Sequence, residues 1–409
     1  MNGISPEILL IVLCGLVILS FLFSILSKYI RVPSVLLLLF AGIGLRALAN
    51  YYRFAINIPD VIVESLGVVG LIMIVLEAGL DLNLNKRKLS LVRNSFLSAT
   101  VILMLSAALI TLILNYWLKE PIASCLVYAL PLSIMSSSIV LPSIHHLTAS
   151  KKEFLIYEAS FSDIMGILLF NYFTAKEILT VLSLATFVAN IVVAIILSLL
   201  ISIGLLFILA RTKMNIRFFL IFALLILIYE GGKMAGLPSL LAILVFGLTI
   251  NNWDAVKLPT ILDRFRKEEV QSLRTLLHSI TAESSFLIRT FFFLLFGFTI
   301  QLKSIMQGEV ILVGSMIVIS LFFIRLVYFR FFLNTNMFPE AFLIPRGLIT
   351  IVLFYKIPAA FKLGTFNEGI LFFVILSTSI IMALGMIFYK KGADEVVEEP
   401  QFSERTDIL

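Results

Sequence analysis

Long apolar runs follow one another almost without a break along this chain. They fall at residues 7–26, 34–49, 61–80, 96–117, 121–143, 154–173, 179–210, 217–233, 237–250, 283–300, 308–328, 339–360 and 366–389. A helix needs about 20 mostly apolar residues to cross a bilayer, so about thirteen runs predict an all-α polytopic membrane protein of about 13 transmembrane helices. Composition agrees: 60% of the residues are apolar and only 14% are charged, against about 25% charged in soluble domains. A soluble globular enzyme is excluded. The formal net charge of +6 does not point to nucleic acid, because Lys and Arg sit between the apolar runs, as expected of a chain whose partner is the lipid bilayer.

The loops after odd-numbered runs hold most of the basic residues, among them Lys86, Arg87, Lys88, Arg93, Arg211, Lys213, Arg217, Arg264, Arg266 and Lys267. The positive-inside rule then puts the amino terminus outside and the carboxyl terminus in the cytoplasm of a multi-pass plasma-membrane protein. The amino-terminal stretch has no basic n-region and is long enough to span, so it reads as the first helix rather than a cleaved signal. The stretch 251–280 reads as a cytoplasmic linker with an amphipathic helix around RFRKEEVQSLRTLLHSI, and 390–409 as a short acidic tail. Cys14 and Cys125 each lie inside an apolar run and supply neither a disulfide framework nor a zinc spacing. No Walker-type, G-x-G-x-x-G or HExxH sequence occurs; the expectation is no enzyme, no cofactor and no nucleotide-binding domain.

The chain also repeats itself. Lys28, Pro33 and Gly42 align with Lys233, Pro238 and Gly247 at one constant offset, LEAGLDLNLNK around Gly79 resembles LLFGFTIQLK around Gly297, and Pro131 has a counterpart in Pro345. Copies separated by an odd number of helices must be inverted relative to one another. The expected division is a first inverted repeat over 1–178, a linker helix over 179–210 and a second repeat over 211–389. Inverted repeats with interrupted helices are the architecture of secondary transporters, whose site lies at the midplane. Runs five and twelve are the expected interruptions: run five carries Pro131, Ser136, Ser137, Ser138 and Pro142, and run twelve carries Pro345, Arg346 and Gly347. Proline frees a carbonyl, which is tolerated at membrane depth only where protein or a watery cavity satisfies it.

Ionisable residues inside spans are costly and mark function. Run six holds Glu158 and Asp163, five apart and so about 140° apart around a helix; they need different partners. Arg289 lies among Phe and Leu in run ten and needs a buried anion, for which Glu158 is the expected partner. Asp163 is then left without a fixed counter-charge and binds either a proton or a monovalent cation. Ser162 and the hydroxyls of Ser136, Ser137 or Ser138 would complete an oxygen shell, although serine runs also serve close helix packing. Glu77, near the end of run three, reads equally as an ion-site carboxylate or a capping one. Arg346 reads as a cation at the break of run twelve.

These residues resemble the cation:proton antiporter superfamily, closest to its NhaP-type and sodium/proton exchanger branch, with Kef-like features in the first third. The likeness spans essentially the whole chain and rests on VPSVLLLLFAGIGL, LEAGLDL, Glu158 to Asp163, RTFFFLLFG from Arg289, and Arg346–Gly347. It implies the NhaA/NapA-like fold, with the broken helices crossing in a core domain that moves against the dimerisation domain of a homodimer. It also implies that Asp163 binds the transported ion and proton, that Glu158 and Arg289 brace the core, and that Glu77 lies near the ion pathway. Two departures stand out. The Asn of the family's N-D pair is Ser162 here, and serines replace the expected T-D pair of run five. The expected activity is electroneutral exchange of Na+, K+ or Li+ for H+. The residues leave open a sodium-coupled organic-anion transporter of related fold, or an uncoupled channel or sensor.

Overall fold

The computed structural model describes residues 6–30, 32–52, 60–82, 88–174, 181–211, 217–253, 267–333 and 338–389. Lys86, Arg87, Lys213, Arg264, Arg266 and the acidic tail fall outside them. The described chain is helical: α1 (Pro6–Ile30), α2 (Ser34–Tyr51), α3 (Asp60–Asp81), α4 (Leu89–Leu118), α5 (Ile122–Ser133), α6 (Ser137–Ser143), α7 (Ala149–Phe173), α8 (Val181–Arg211), α9 (Arg217–Met234), α10 (Ser239–Asn251), α11 (Lys267–Thr299), α12 (Gly308–Tyr328), α13 (Leu348–Tyr355) and α14 (Gly369–Phe388), with single turns between some of them. Among the described residues no strand occurs, and 7 helices are long and apolar enough to cross a membrane. The protein is a multi-pass membrane protein.

Local sequence sets the helix ends. Pro33, Pro121 and Pro238 stand immediately before α2, α5 and α10, where a missing N–H costs nothing because the first helical N–H groups have no intrahelical partner. The stretch expected to be a separate amphipathic linker helix is instead continuous with the following span from Lys267 onward, giving one 33-residue helix, α11.

The helices pack in two groups. In the first, α4, α5, α6, α7, α12, α13 and α14 pack chiefly on one another; in the second, α2 lies on α11, α3 on α10 and α11, and α10 on α8 and α9. Two close backbone approaches hold the second group together. A side chain at Gly42 in α2 would run into the Leu294 carbonyl oxygen and the Gly297 backbone in α11. One at Gly79 in α3 would lie 2.8 Å from the Leu244 carbonyl oxygen and 3.1 Å from the Cα of Gly247 in α10. The glycines that align between the two halves of the sequence therefore pair crosswise in space.

A candidate ion site where two helices break

Helix α5 stops at Ser133 and α6 begins at Ser137, with Ile134 and Ser136 in extended backbone between them. The interruption follows Pro131 by three residues, while Pro131 itself stays inside α5 and Pro142 inside α6. Opposite lies a second non-helical stretch, Leu343 to Gly347, which leads into α13. The two stretches touch: the Ser136 N–H donates to the Pro345 carbonyl at 3.0 Å. A Cβ at Gly347 would sit 2.5 Å from Ser136 Oγ and 2.9 Å from Ile139, so only a bare backbone lets them approach this closely.

Broken helices at membrane depth leave polar backbone groups that need partners. Arg346, 2% exposed, meets part of that need. Its guanidinium donates to the Leu132 carbonyl in the last turn of α5 at 2.7 Å and to the Ile344 carbonyl at 2.9 Å. Its own N–H donates to Thr378 Oγ1 at 3.2 Å. A cation at that helix end also opposes the negative end of the helix dipole.

Helix α7 supplies the acidic groups. The Ser162 hydroxyl accepts the Met135 N–H at 2.9 Å, and Asp163 Oδ2 accepts the Ser137 N–H at 3.2 Å, so both side chains engage the interruption of α5 and α6. Asp163 is 3% exposed. Its Oδ1 and the Ser137 hydroxyl are buried without a well-formed hydrogen bond among the described residues, and the Ser137 side chain stands beside the carboxylate. The Ser136 and Ser138 hydroxyls lie 2.8 Å from one another. Of the serines expected around Asp163, Ser137 and Ser162 therefore reach the same interruption, while Ser136 and Ser138 form their own pair.

The expected pair of Glu158 with Arg289 does not form. Glu158 is bound bidentately by Arg325 of α12, at 2.7 and 3.0 Å, and also accepts the Ser98 hydroxyl at 2.6 Å. Both members of the pair are nearly fully buried, and the Arg325 Nε–H donates to the Glu340 carbonyl at 2.7 Å. Arg289 belongs to the other group of helices. There its nearest acid is Glu77 of α3, at 3.6 Å, and it donates to the Ser285 carbonyl at 3.2 Å and the Ser138 carbonyl at 3.3 Å. The correction has a packing cause: α7 shares its group with α4 and α12, whereas α11 packs on α2 and α3. Sequence reasoning missed Arg325 because it lies within a turn of the end of an apolar run, where a long basic side chain ordinarily snorkels to the interface. Its neighbours in SLFFIRLVYFR carried the missed signal, for they leave no polar face to escape along.

A lone carboxylate with one uncommitted oxygen, beside an uncommitted hydroxyl and freed backbone, has a restricted chemistry. A bare buried charge costs several kcal/mol, and it can be relieved by one proton or by one hard monovalent cation. Either ligand would neutralise the group.

The sequence matches the family model described as sodium/hydrogen exchanger, transmembrane, over residues 15–389. No curated protein matches the chain. Among solved structures, the sodium proton antiporter MjNhaP1 from Methanocaldococcus jannaschii at pH 8 superposes with a TM-score of 0.70 at 17% identity, covering 93% of this chain and 100% of that one. An electron-microscopy structure of the same antiporter gives 0.69 at 18% identity, covering 95% and 100%. The fold is shared across that distance.

Proposed function

The chain belongs to the sodium/hydrogen exchanger family, and from that premise we propose that it exchanges a monovalent cation, Na+, K+ or Li+, for H+ at Asp163. Its buried carboxylate with one oxygen lacking a well-formed hydrogen bond is the observation that carries the reading. Proton and cation compete for this group, and the protein changes access when either has neutralised it. The similarity to a sodium proton antiporter supports the same activity. One titrating carboxylate in the site gives one proton per cation, so exchange is electroneutral. Ser137 and Ser162 position the site, Arg346 stabilises the broken helix end, and Glu77 with Arg289 lies on the other group of helices, from which Arg289 donates to the Ser138 carbonyl.

The same reading includes thirteen crossings, inverted repeats over 1–178 and 211–389, a homodimer, and a plasma-membrane location with the amino terminus outside. The crosswise pairing of Gly42 with Gly297 and of Gly79 with Gly247 supports the repeats, since a two-fold axis between inverted copies makes equivalent contacts in pairs.

The test is dye-monitored exchange in proteoliposomes. Adding Na+, K+ or Li+ without any organic solute is expected to collapse a pH gradient with wild-type protein, and Asp163→Asn is expected to remove the response while the protein still purifies as a folded species. Retained cation-driven proton movement in that variant would contradict the site assignment. Strong driving of exchange by an imposed voltage would contradict electroneutrality.

A further inference from the structure

One end of the bundle encloses a cavity of about 690 Å³ bounded by both groups of helices. Helices α7, α9 and α13 end around it and α10 begins there, for Thr174, Lys233, Lys356 and Ser239 all line it. Helix ends gathered in one place mark the boundary between membrane and water, so the cavity lies at headgroup depth. Its charge is one-sided: among the described lining residues none is Asp or Glu. The two lysines come from opposite groups of helices and meet at one side chain. The Lys356 ammonium donates to the Tyr229 hydroxyl and stands 5.2 Å from the centre of its ring. Lys233 lies one turn beyond Tyr229 on the same face of α9. The start of α10 adds to them. It has no side-chain cap, so the Ser239 and Leu240 N–H groups lack a partner within the helix, and both residues line the cavity. Ser239 is 8% exposed, and its hydroxyl makes no hydrogen bond to a described residue.

We propose that this cavity binds the phosphate head of an anionic lipid, held by Lys233, Lys356 and the N-terminus of α10, with its acyl chain against the apolar wall that Phe170 and Phe187 help to form. The lysines also sit favourably at the carboxyl ends of α9 and α13, and magnitudes decide whether that role exhausts them. A helix end carries about half a charge. Three carboxyl ends and one amino end therefore leave about one negative charge against two ammonium groups, and the cavity stays positive. Unsatisfied N–H groups at a helix start are a ready phosphate cradle, and the volume lies in the usual range for ligand sites, about 300–1,000 Å³. A zwitterionic head is disfavoured because it brings a second cation to the two lysines. The bound head touches α9 and α10 in one group of helices and α13 in the other, so the lipid ties the two groups together. Binding here is independent of which ion Asp163 takes.

The experiment is native mass spectrometry of the full chain in a neutral detergent, titrated with phosphatidylglycerol, with phosphatidylcholine of the same acyl chains, or with inorganic phosphate alone. The wild-type chain is expected to retain phosphatidylglycerol about tenfold more tightly than phosphatidylcholine. Lys233→Gln and Lys356→Gln are each expected to weaken phosphatidylglycerol about fivefold and to bring it close to phosphatidylcholine when combined. Lys233→Arg is expected to keep the wild-type preference, as is Lys303→Gln, an exposed lysine that does not line the cavity. Equal affinity for the two lipids overturns the proposal, as does an equal loss in Lys303→Gln, or retention of inorganic phosphate without the lipid. So does a phosphatidylglycerol affinity that neither cavity substitution moves, which would leave the lysines as stabilisers of their helix ends. If Lys356→Gln fails to accumulate because it releases Tyr229, Lys233→Gln decides alone, since Lys233 is exposed and orphans no described partner; an unchanged lipid preference in that variant overturns the proposal.

Discussion

One buried and one partly buried ion pair flank the candidate site, and they are built differently. Glu158 and Arg325 meet at 2.7 Å with side chains 1% and 2% exposed, and further hydrogen bonds from Ser98 and to Glu340 satisfy what the pair leaves over. Glu77 and Arg289 stand 3.6 Å apart with side chains 15% and 12% exposed, and Arg289 divides its donors between Glu77 and two backbone carbonyls. The first pair lies wholly within the group of helices that carries Asp163. The second belongs to the other group, with Arg289 donating to the Ser138 carbonyl of the first. The first pair is tight and saturated; the second is long and divides its donors.

That contrast can be broken by substitution, and the largest effect is expected at the tight pair. Arg325→Met leaves Glu158 buried without its cation, which costs about 3–5 kcal/mol; a large loss of thermal stability in detergent is expected. Glu158→Leu combined with Arg325→Met is expected to recover part of that loss, since the cost lies in the orphaned charge rather than in the missing attraction. A melting temperature unchanged by Arg325→Met would show that the pair does not brace the core. At the loose pair, Glu77→Gln is expected to reduce stability much less than Arg325→Met while altering the rate of exchange, because Arg289 keeps its carbonyl partners. Equal destabilisation by the two variants would erase the distinction drawn here.

The smallest effect belongs at the protein's edge. Lys88 and Glu153 pair at 2.6 Å with side chains 37% and 40% exposed, and the Glu153 hydrogen bond holds the Lys88 ammonium above the usual lysine range. A folded value above the unfolded one contributes stability that is fully present below about pH 10 and is lost as pH rises through the folded value. Because solvent screens exposed pairs, Lys88→Gln is expected to change stability by less than about 1 kcal/mol, measured as a small shift in melting temperature at neutral pH that disappears under strongly alkaline conditions. A large shift would mean that the pair ties α4 to α7 more firmly than its exposure allows.

The sequence made some of this legible and hid the rest for physical reasons. Apolar runs mark most helices, because the bilayer demands length and hydrophobicity from each one, and each expected run carries helix in the described structure. Asp163 was visible as a carboxylate in a place where carboxylates are expensive. The interruptions were visible from Pro131 and Pro345; the second lies at its proline, whereas the first does not. Helix α5 runs on past Pro131 to Ser133 because the ring disturbs the preceding turn and leaves its own turn intact. The partner of Glu158 could not be read, since two arginines within apolar runs, Arg289 and Arg325, offer the same chemistry and only the packing of α4 against both α7 and α12 chooses between them. The cavity of about 690 Å³ at the C-terminal end of α7 was equally hidden, because Lys233 and Lys356 line it but are far apart in sequence.

The central claim is that one buried carboxylate holds a proton or a metal ion and never both. Its most direct measurement is the apparent cation KM of exchange as a function of pH in proteoliposomes. Competition at Asp163 predicts that KM rises about tenfold per pH unit on the acid side, with the maximal rate preserved at saturating cation. A KM that stays constant across pH while only the maximal rate falls would contradict it, because proton and cation would then be binding at separate places.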